Sequence, residues 1–273
     1  DYRDIKIAFK VTEPNSSDRI IDNTAEITRD EDEDGNEVKD KDSTPGNNES
    51  KEDDIDKEYI KVKEFDLALL KWVSKVSVTK DGKTKVTETG HTAENSKKED
   101  PVLVTIDSNK IDSVVVKFIY DIRVENQGEI EGYVKEVKDH IPEGLKFDPK
   151  DNPDWQQLDE KTITTDKLKD TLLKRGETAT VQVVLTWING SKNLNLKTNY
   201  AEISKDYNEW GIPDKDSKPD DFNGTPKDDD EDDAPVLLTL KTGQMPKYFV
   251  LGFTILVVLI GGIYLIRKYV YRI

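Results

Sequence analysis

The chain has 273 residues, with 57 Asp plus Glu against 41 Lys plus Arg and a formal charge of −16. That balance argues against nucleic acid as a partner, because a phosphate backbone calls for a basic footprint. Cysteine is absent, so no disulfide frame and no thiol nucleophile exist, and an exported module of this composition must be stabilised otherwise.

Charged residues make up 36% of the chain, yet the apolar residues fall in alternating runs. Alternation favours thin β modules with long solvated loops over one large core. The chain opens inside what reads as a strand and its sole methionine is Met245; the expectation is a C-terminal piece of a longer protein.

One passage occurs twice. Asn23-Thr-Ala-Glu-Ile-Thr-Arg-Asp30, Asp40-Lys-Asp-Ser-Thr-Pro45 and Glu52-Asp-Asp54 return as Asn199-Tyr-Ala-Glu-Ile-Ser-Lys-Asp206, Asp214-Lys-Asp-Ser-Lys-Pro219 and Glu231-Asp-Asp233. The spacing is 176 residues at the Asn (23 to 199) and 174 at the first Asp of the second block (40 to 214). Self-similarity at that period means whole domains in tandem. The expected organisation is a repeat tail over 1–56, a complete repeat over 57–240, a juxtamembrane linker over 241–247, a span over 248–266 and a basic tail over 267–273.

In the first repeat, Asp30, Asp32 and Asp34 alternate before Gly35. Carboxylates at alternate positions with glycine at the sixth resemble the start of a calcium loop, although Lys41 stands where a bidentate glutamate is expected. The second copy retains less, with Asp206, Asn208 and Trp210 before Gly211 and Asp214 and Asp216 nearby. Ca2+ is therefore the one cofactor the sequence admits, and a solvated acidic hairpin is the other reading.

In the complete repeat the period is two. Asp66 to Val73 reads as a strand with Leu67, Leu69, Lys71 and Val73 of one parity. Val114 to Val124 alternates apolar and polar residues, Asn126-Gln-Gly128 turns, Tyr133 to Lys138 returns, and Ile141-Pro-Glu-Gly144 bends the chain. A helix is predicted over Thr165 to Lys174, capped by Thr165 and ended near Gly176. Thr178 to Trp187 alternates again. The predicted fold is all-β, an immunoglobulin-like antiparallel sandwich preceded by the tail of another and followed by one transmembrane helix.

Tyr120-Asp-Ile-Arg-Val-Glu-Asn-Gln-Gly128, followed by Glu136-Val-Lys-Asp-His-Ile-Pro-Glu-Gly-Leu-Lys-Phe147, resembles the bacterial conserved repeat domain, the domain of unknown function eleven. Asp66-Leu-Ala-Leu-Leu-Lys71 and the Asn-x-Ala-Glu-Ile passage extend the resemblance over most of residues 58 to 240. It implies an immunoglobulin-like stalk module of Gram-positive cell surfaces, often cross-linked internally, and names no ligand.

Lys71 shares parity with apolar neighbours, so its ammonium would face the core, where burial lowers a lysine pKa towards a neutral, nucleophilic amine. Asn199 shares parity with Ala201 and Ile203. A lysine and an asparagine on core faces of the first and near-last strands suit an intramolecular isopeptide bond, if a nearby carboxyl assists. Asp139, of one parity with Val137 and Tyr133, is the first candidate for that acid, with Glu136 and Asp121 as alternatives. The other reading lets Lys71 snorkel past the sheet edge, Asn199 bond a turn and Asp139 brace the bend before Pro142.

No enzyme is expected, since no phosphate loop, metal pair of convincing spacing or Ser-His-Asp set is present. His91 and His140 read as turn residues. Trp72, Trp155, Trp187 and Trp210 offer aromatic faces for a sugar, with packing the simpler role for Trp187.

Tyr248 to Ile266 runs nineteen residues without a charge, and Arg267, Lys268 and Arg272 follow. At 1.5 Å of rise per residue the run reaches about 28 Å, close to the hydrocarbon core, and the trailing cations place the tail inside and the rest outside. Thr242-Gly243 before this segment shares the layout of a sortase wall-sorting signal, but Thr239 and Leu240 stand where its leucine and proline belong; a plain anchor is the preferred reading, with wall attachment as the alternative. The expected function is a membrane-anchored stalk or adhesin for a protein or glycan ligand. The alternative is an enzyme or receptor whose active domain lies before Asp1.

Overall fold

A computed structural model describes residues 3–10, 19–95 and 100–241. The chain there is all-β. A two-stranded hairpin pairs β1 (Ile20–Glu26) with β2 (Ile55–Lys61). Eleven further strands follow: β3 (Leu67–Lys80), β4 (Lys83–Glu88), β5 (Val102–Asp107), β6 (Val115–Asn126), β7 (Tyr133–His140), β8 (Leu145–Phe147), β9 (Gln156–Gln157), β10 (Thr162–Thr165), β11 (Thr178–Trp187), β12 (Asn195–Tyr207) and β13 (Glu231–Lys241). One sheet has the order β4-β3-β6-β11-β8 and the other β5-β13-β12-β7-β10-β9. All pairings are antiparallel except β13 with β5.

Period-two patterning builds the core between these sheets. In β6 the even positions from Val116 to Asn126 are buried, so Val116, Phe118, Tyr120, Ile122 and Val124 face inward while Lys117, Asp121, Arg123 and Glu125 alternate with them. In β11, Val181, Val183, Leu185 and Trp187 do the same, none more than 2% exposed. Val137, Ile163, Ala201, Ile203, Val236 and Leu238 close the core from the other sheet. Burying such side chains stabilises the fold by about 1.5–3 kcal/mol each.

Two irregularities correct simple parity. On β3 the register with β6 shifts between Val73 and Lys75, so the inward set passes from Val73 to Val76. The β7/β12 pairing shifts on either side of Lys205, so on β7 the inward set is Val134, Val137 and Asp139. Tyr133 therefore does not share Asp139's face, because an irregular step intervenes.

The helix expected over Thr165 to Lys174 is not formed. Thr165 ends β10, its Oγ1 donating to the Asp154 carbonyl at 2.6 Å. Leu173 is held by paired backbone bonds with Gly132, at 2.8 and 3.1 Å. Leu168 and Leu173 are the buried leucines, a spacing of five that no helical face offers, and tertiary pairing overrides propensity.

The two copies of the repeated passage fold alike. Asn23 pairs with Glu58 and Glu26 with Ile55; Asn199 pairs with Ala234 and Glu202 with Glu231. Adding 176 to each first-hairpin position gives the second, so Glu52 to Asp54 correspond to Asp228 to Asp230 and not to the Glu231-Asp-Asp233 with which the sequence pairs them. The boundary drawn after Asp56 falls inside β2, which continues to Lys61. The first hairpin is exposed on most positions, with Ile20, Tyr59 and Ile60 open to solvent. Arg19 at its foot bonds Glu64 and Glu129 at 2.9 Å each, fastening it to the larger unit. Among the described residues no helix is long and apolar enough to cross a membrane.

Candidate cross-link site

Three strands bring Lys71, Asp139 and Asn199 together. Lys71 sits on β3 of one sheet, while Asp139 and Asn199 come from the neighbouring β7 and β12 of the other. Ala201 is the register partner of Asp139, which places Asn199 beside the end of β7. Its Nδ2 donates to the His140 carbonyl at 2.9 Å. Lys71 is 1% exposed, and Asp139 and Asn199 not at all.

The Asp139 carboxylate touches both partners. One oxygen, Oδ2, accepts a hydrogen bond from Lys71 Nζ; the other, Oδ1, accepts from Asn199 Nδ2 at 2.8 Å. Asn199 Oδ1 is buried with no hydrogen-bond partner, an arrangement that leaves the amide carbonyl free of competing donors. Burial pushes the Lys71 amine below its ordinary range, against the opposing pull of Asp139.

Tyr120 floors the site. Its ring centroid is 5.2 Å from Lys71 Nζ, and its buried hydroxyl has no partner. Burial, and then the Asp139 charge, hold the phenol well above its ordinary pKa, so it stays neutral. Its even position on β6 was the available signal, but alternation marks any inward aromatic as core. Asp232 accepts from the Lys71 amide at 2.6 Å, and burial pushes its carboxyl up to about 6.

The alternative acids lie elsewhere. Glu136 bonds Ser204 at 2.9 Å and pairs with Lys205 at 2.9 Å. Asp121, at an odd position of β6, accepts from Gln182 at 2.7 Å. Neither contacts Lys71.

Asp30, Asp32 and Asp34 do not converge. Asp32 Oδ1 instead accepts from the amides of Asp34 at 3.0 Å and Asn36 at 2.8 Å, closing an exposed turn, and these bonds hold its carboxyl below the usual range. Among the described residues, carboxylates converge at two other places. Asp66, Asp214, Asp216 and Asp229 each bring an oxygen within 4.8 Å of the others, as do Asp40, Asp42 and Asp53. The acidic run from Asp228 to Asp233 announced charge, but not which carboxylates meet.

His140 Nε2 meets Glu202 Oε1 at 2.8 Å, and its ring lies 4.6 Å from that of Phe222. His91 occupies the loop after β4, where its amide donates to Thr89 Oγ1 at 3.1 Å. Of the tryptophans, Trp155 and Trp187 are buried and donate to the Gln182 and Asn193 carbonyls, each at 2.8 Å, while Trp72 on β3 is half-buried and Trp210 is 74% exposed. Thr242, Gly243 and the apolar run Tyr248 to Ile266 lie outside the described residues.

Compared with known families and with curated proteins, the chain matches none. Among solved structures it is similar to BslA, described as a bacterial hydrophobin, at 11% sequence identity and a TM-score of 0.30, over 64% of this chain and 96% of that one.

Proposed function

We propose that this chain is part of a surface repeat protein of the Gram-positive type, an immunoglobulin-like stalk or adhesin anchored by Tyr248 to Ile266, whose complete module is closed by an amide between Lys71 and Asn199. The observation carrying this reading is the buried Asp139 carboxylate in contact with both the amine and the amide. Passing a proton from Lys71 to Asp139 gives the neutral amine that the attack needs, and burial already draws Lys71 in that direction.

The amine then attacks the Asn199 side-chain carbon. Asp139 delivers a proton to Nδ2, which it already contacts, and takes back the one that Nζ releases. The Lys71 Nζ to Asn199 Cγ bond forms, the Cγ to Nδ2 bond breaks, and ammonia leaves. Lysine plus asparagine side chains thus give one secondary amide and one ammonia, with no oxidant and no cofactor.

A stalk explains the use of such a bond. β3 is the first strand of the module and β12 the last but one, so an amide between them carries tension across the sandwich without unzipping either sheet. It also supplies the cross-link that a chain without cysteine lacks otherwise. Intact mass spectrometry tests the proposal: the expected mass is the sequence mass less one ammonia, with a branched peptide joining β3 to β12 after digestion. Full sequence mass would overturn the cross-link.

A further inference from the structure

The loops around the start of β3 are built from acids that the cross-link does not use. Asp66 lies between the paired residue Phe65, which bridges to Asp214, and Leu67, whose amide donates to Asp214 Oδ2 at 2.7 Å. The Leu69 amide donates to the Asp229 carbonyl at 2.7 Å. These contacts fold the 214–216 loop and the approach to β13 over Asp66, and the oxygens of Asp66, Asp214, Asp216 and Asp229 converge.

Two observations beyond the convergence indicate a ligand. Asp66 is only 5% exposed, and its Oδ1 has no hydrogen-bond partner; Asp229 Oδ1 and Ser217 Oγ beside the cluster are likewise buried without one. The arrangement also recurs in the first repeat. Asp40 and Asp42 precede Asp214 and Asp216 by 174 residues, and the shared hairpin register places Asp53 176 residues before Asp229. Asp40, Asp42 and Asp53 converge in their turn, and Ser43 Oγ, the counterpart of Ser217, is also buried without a partner.

We propose that Asp66, Asp214, Asp216 and Asp229 form a calcium site at the entry to the complete module, and that Asp40, Asp42 and Asp53 are its counterpart in the preceding repeat. All the donors are carboxylate oxygens on loops and strand ends, which suits a hard cation of large and adaptable coordination. Lys215 is a cation paired at the site: its Nζ stands 3.7 Å from Asp66 Oδ2 and 3.8 Å from Glu64 and Asp216. Its side chain is 44% exposed, free to swing outward as calcium enters. Burial first, and then repulsion from Asp216, Asp66 and Asp214, pushes the Asp229 carboxyl up to about 7, and a divalent cation relieves the repulsive part. Because Asp66 ends the segment leading from β2, and Glu64 in that segment holds Arg19, a bound ion fastens the junction between repeats.

The test is calorimetric titration of the full chain, purified in mild detergent and stripped with chelator, with calcium chloride and separately with magnesium chloride. The expected result is saturable calcium binding with a dissociation constant of about 10⁻⁴–10⁻³ M, as in extracellular modules, and a melting temperature that rises with it. Asp214→Asn and Asp229→Asn should each lower the calcium stoichiometry by the ion bound at the complete module, leaving the Asp40, Asp42 and Asp53 site, while Asp32→Asn should leave both intact. Neutralising an acid relieves repulsion, so both variants should melt no lower than the parent in chelator; loss of response then cannot be misfolding. No binding by about 10 mM calcium, an unchanged response in the Asp214→Asn/Asp229→Asn double variant, or equal saturation by magnesium would each overturn the site. Intact mass on the same samples reads the Lys71 to Asn199 bond separately, so either proposal can fail alone.

Discussion

Lys71 Nζ and Asp139 Oδ2 form an ion pair between two side chains that are both wholly buried. Taking two charges out of water is expensive, and a buried pair is often no more stable than apolar residues of the same volume. Here the carboxylate also holds Asn199, the amide carbonyl is left without a donor, and the three residues come from strands far apart in sequence. These are the contacts that the proposed cross-link would use.

Asn199→Ala is the cleanest probe of the bond, because it keeps Lys71 and Asp139 paired. The variant should show full sequence mass and unfold at lower denaturant. The loss should be about 2–5 kcal/mol, by analogy with a disulfide that closes a long loop. An identical mass for parent and variant, after allowing for the substitution itself, would show that no bond was there to lose.

Asp139→Ala should abolish the amide while both bonding residues remain. It should also destabilise the module by about 3–5 kcal/mol, since Lys71 is then buried without a counter-charge. Glu136→Ala and Asp121→Ala should still lose ammonia, because neither acid touches Lys71. Mass spectra of the three variants separate them.

Stability without calcium should fall as pH rises. Burial first, then neighbouring acids, raise Asp229 to about 7 and Asp230 to about 8, and burial raises Asp232 to about 6, from an ordinary 3.8. The folded chain therefore holds protons that the unfolded chain has released. This contribution is complete below about pH 4 and is lost as pH climbs through the folded values. In chelator the melting temperature should drop between about pH 4 and about pH 8, and calcium should lessen the drop. Asp66, Asp214, Asp216, Asp221 and Glu231 face these groups and act in the same direction; Lys215 faces Asp66 and opposes them. A flat profile in chelator would count against the repulsive cluster.

Gly128 should tolerate no side chain. A Cβ there would lie 2.6 Å from the Glu64 carbonyl and 2.8 Å from the Asp66 amide, both backbone atoms that cannot swing aside. Gly128→Ala should cost about 1–3 kcal/mol and, by displacing Asp66, weaken calcium binding more than Gly35→Ala, whose Cβ would meet nothing within 4 Å. Thermal melts and calcium titrations of the two variants compare them directly.

The apolar run Tyr248 to Ile266 should bring the protein down with membranes, and deleting residues 247–273 should release it. Wall digestion without detergent that frees a form ending at Thr242 would replace the anchor by sorting to the wall.

Much of this protein was legible in its sequence. Alternation on β6 and β11 is a local consequence of the strand period, so Phe118, Ile122, Val183 and Leu185 could be placed inward without knowing what they face. The same rule turned Lys71 and Asn199 towards the core, and the doubled Asn-x-Ala-Glu-Ile passage marked a repeat, which the structure forms as two hairpins of one register. Other features depended on pairing across the chain. The irregular steps on β7 and β12 turn Val134 inward in place of Tyr133, and the bond of Leu173 to Gly132 removes a helix that local propensity allowed. Among so many acids, sequence spacing pointed to Asp30, Asp32 and Asp34, while folding brings together Asp66, Asp214, Asp216 and Asp229. Parity is set by each strand alone, whereas convergence is set by where loops are fastened, and those fastenings join residues more than a hundred positions apart.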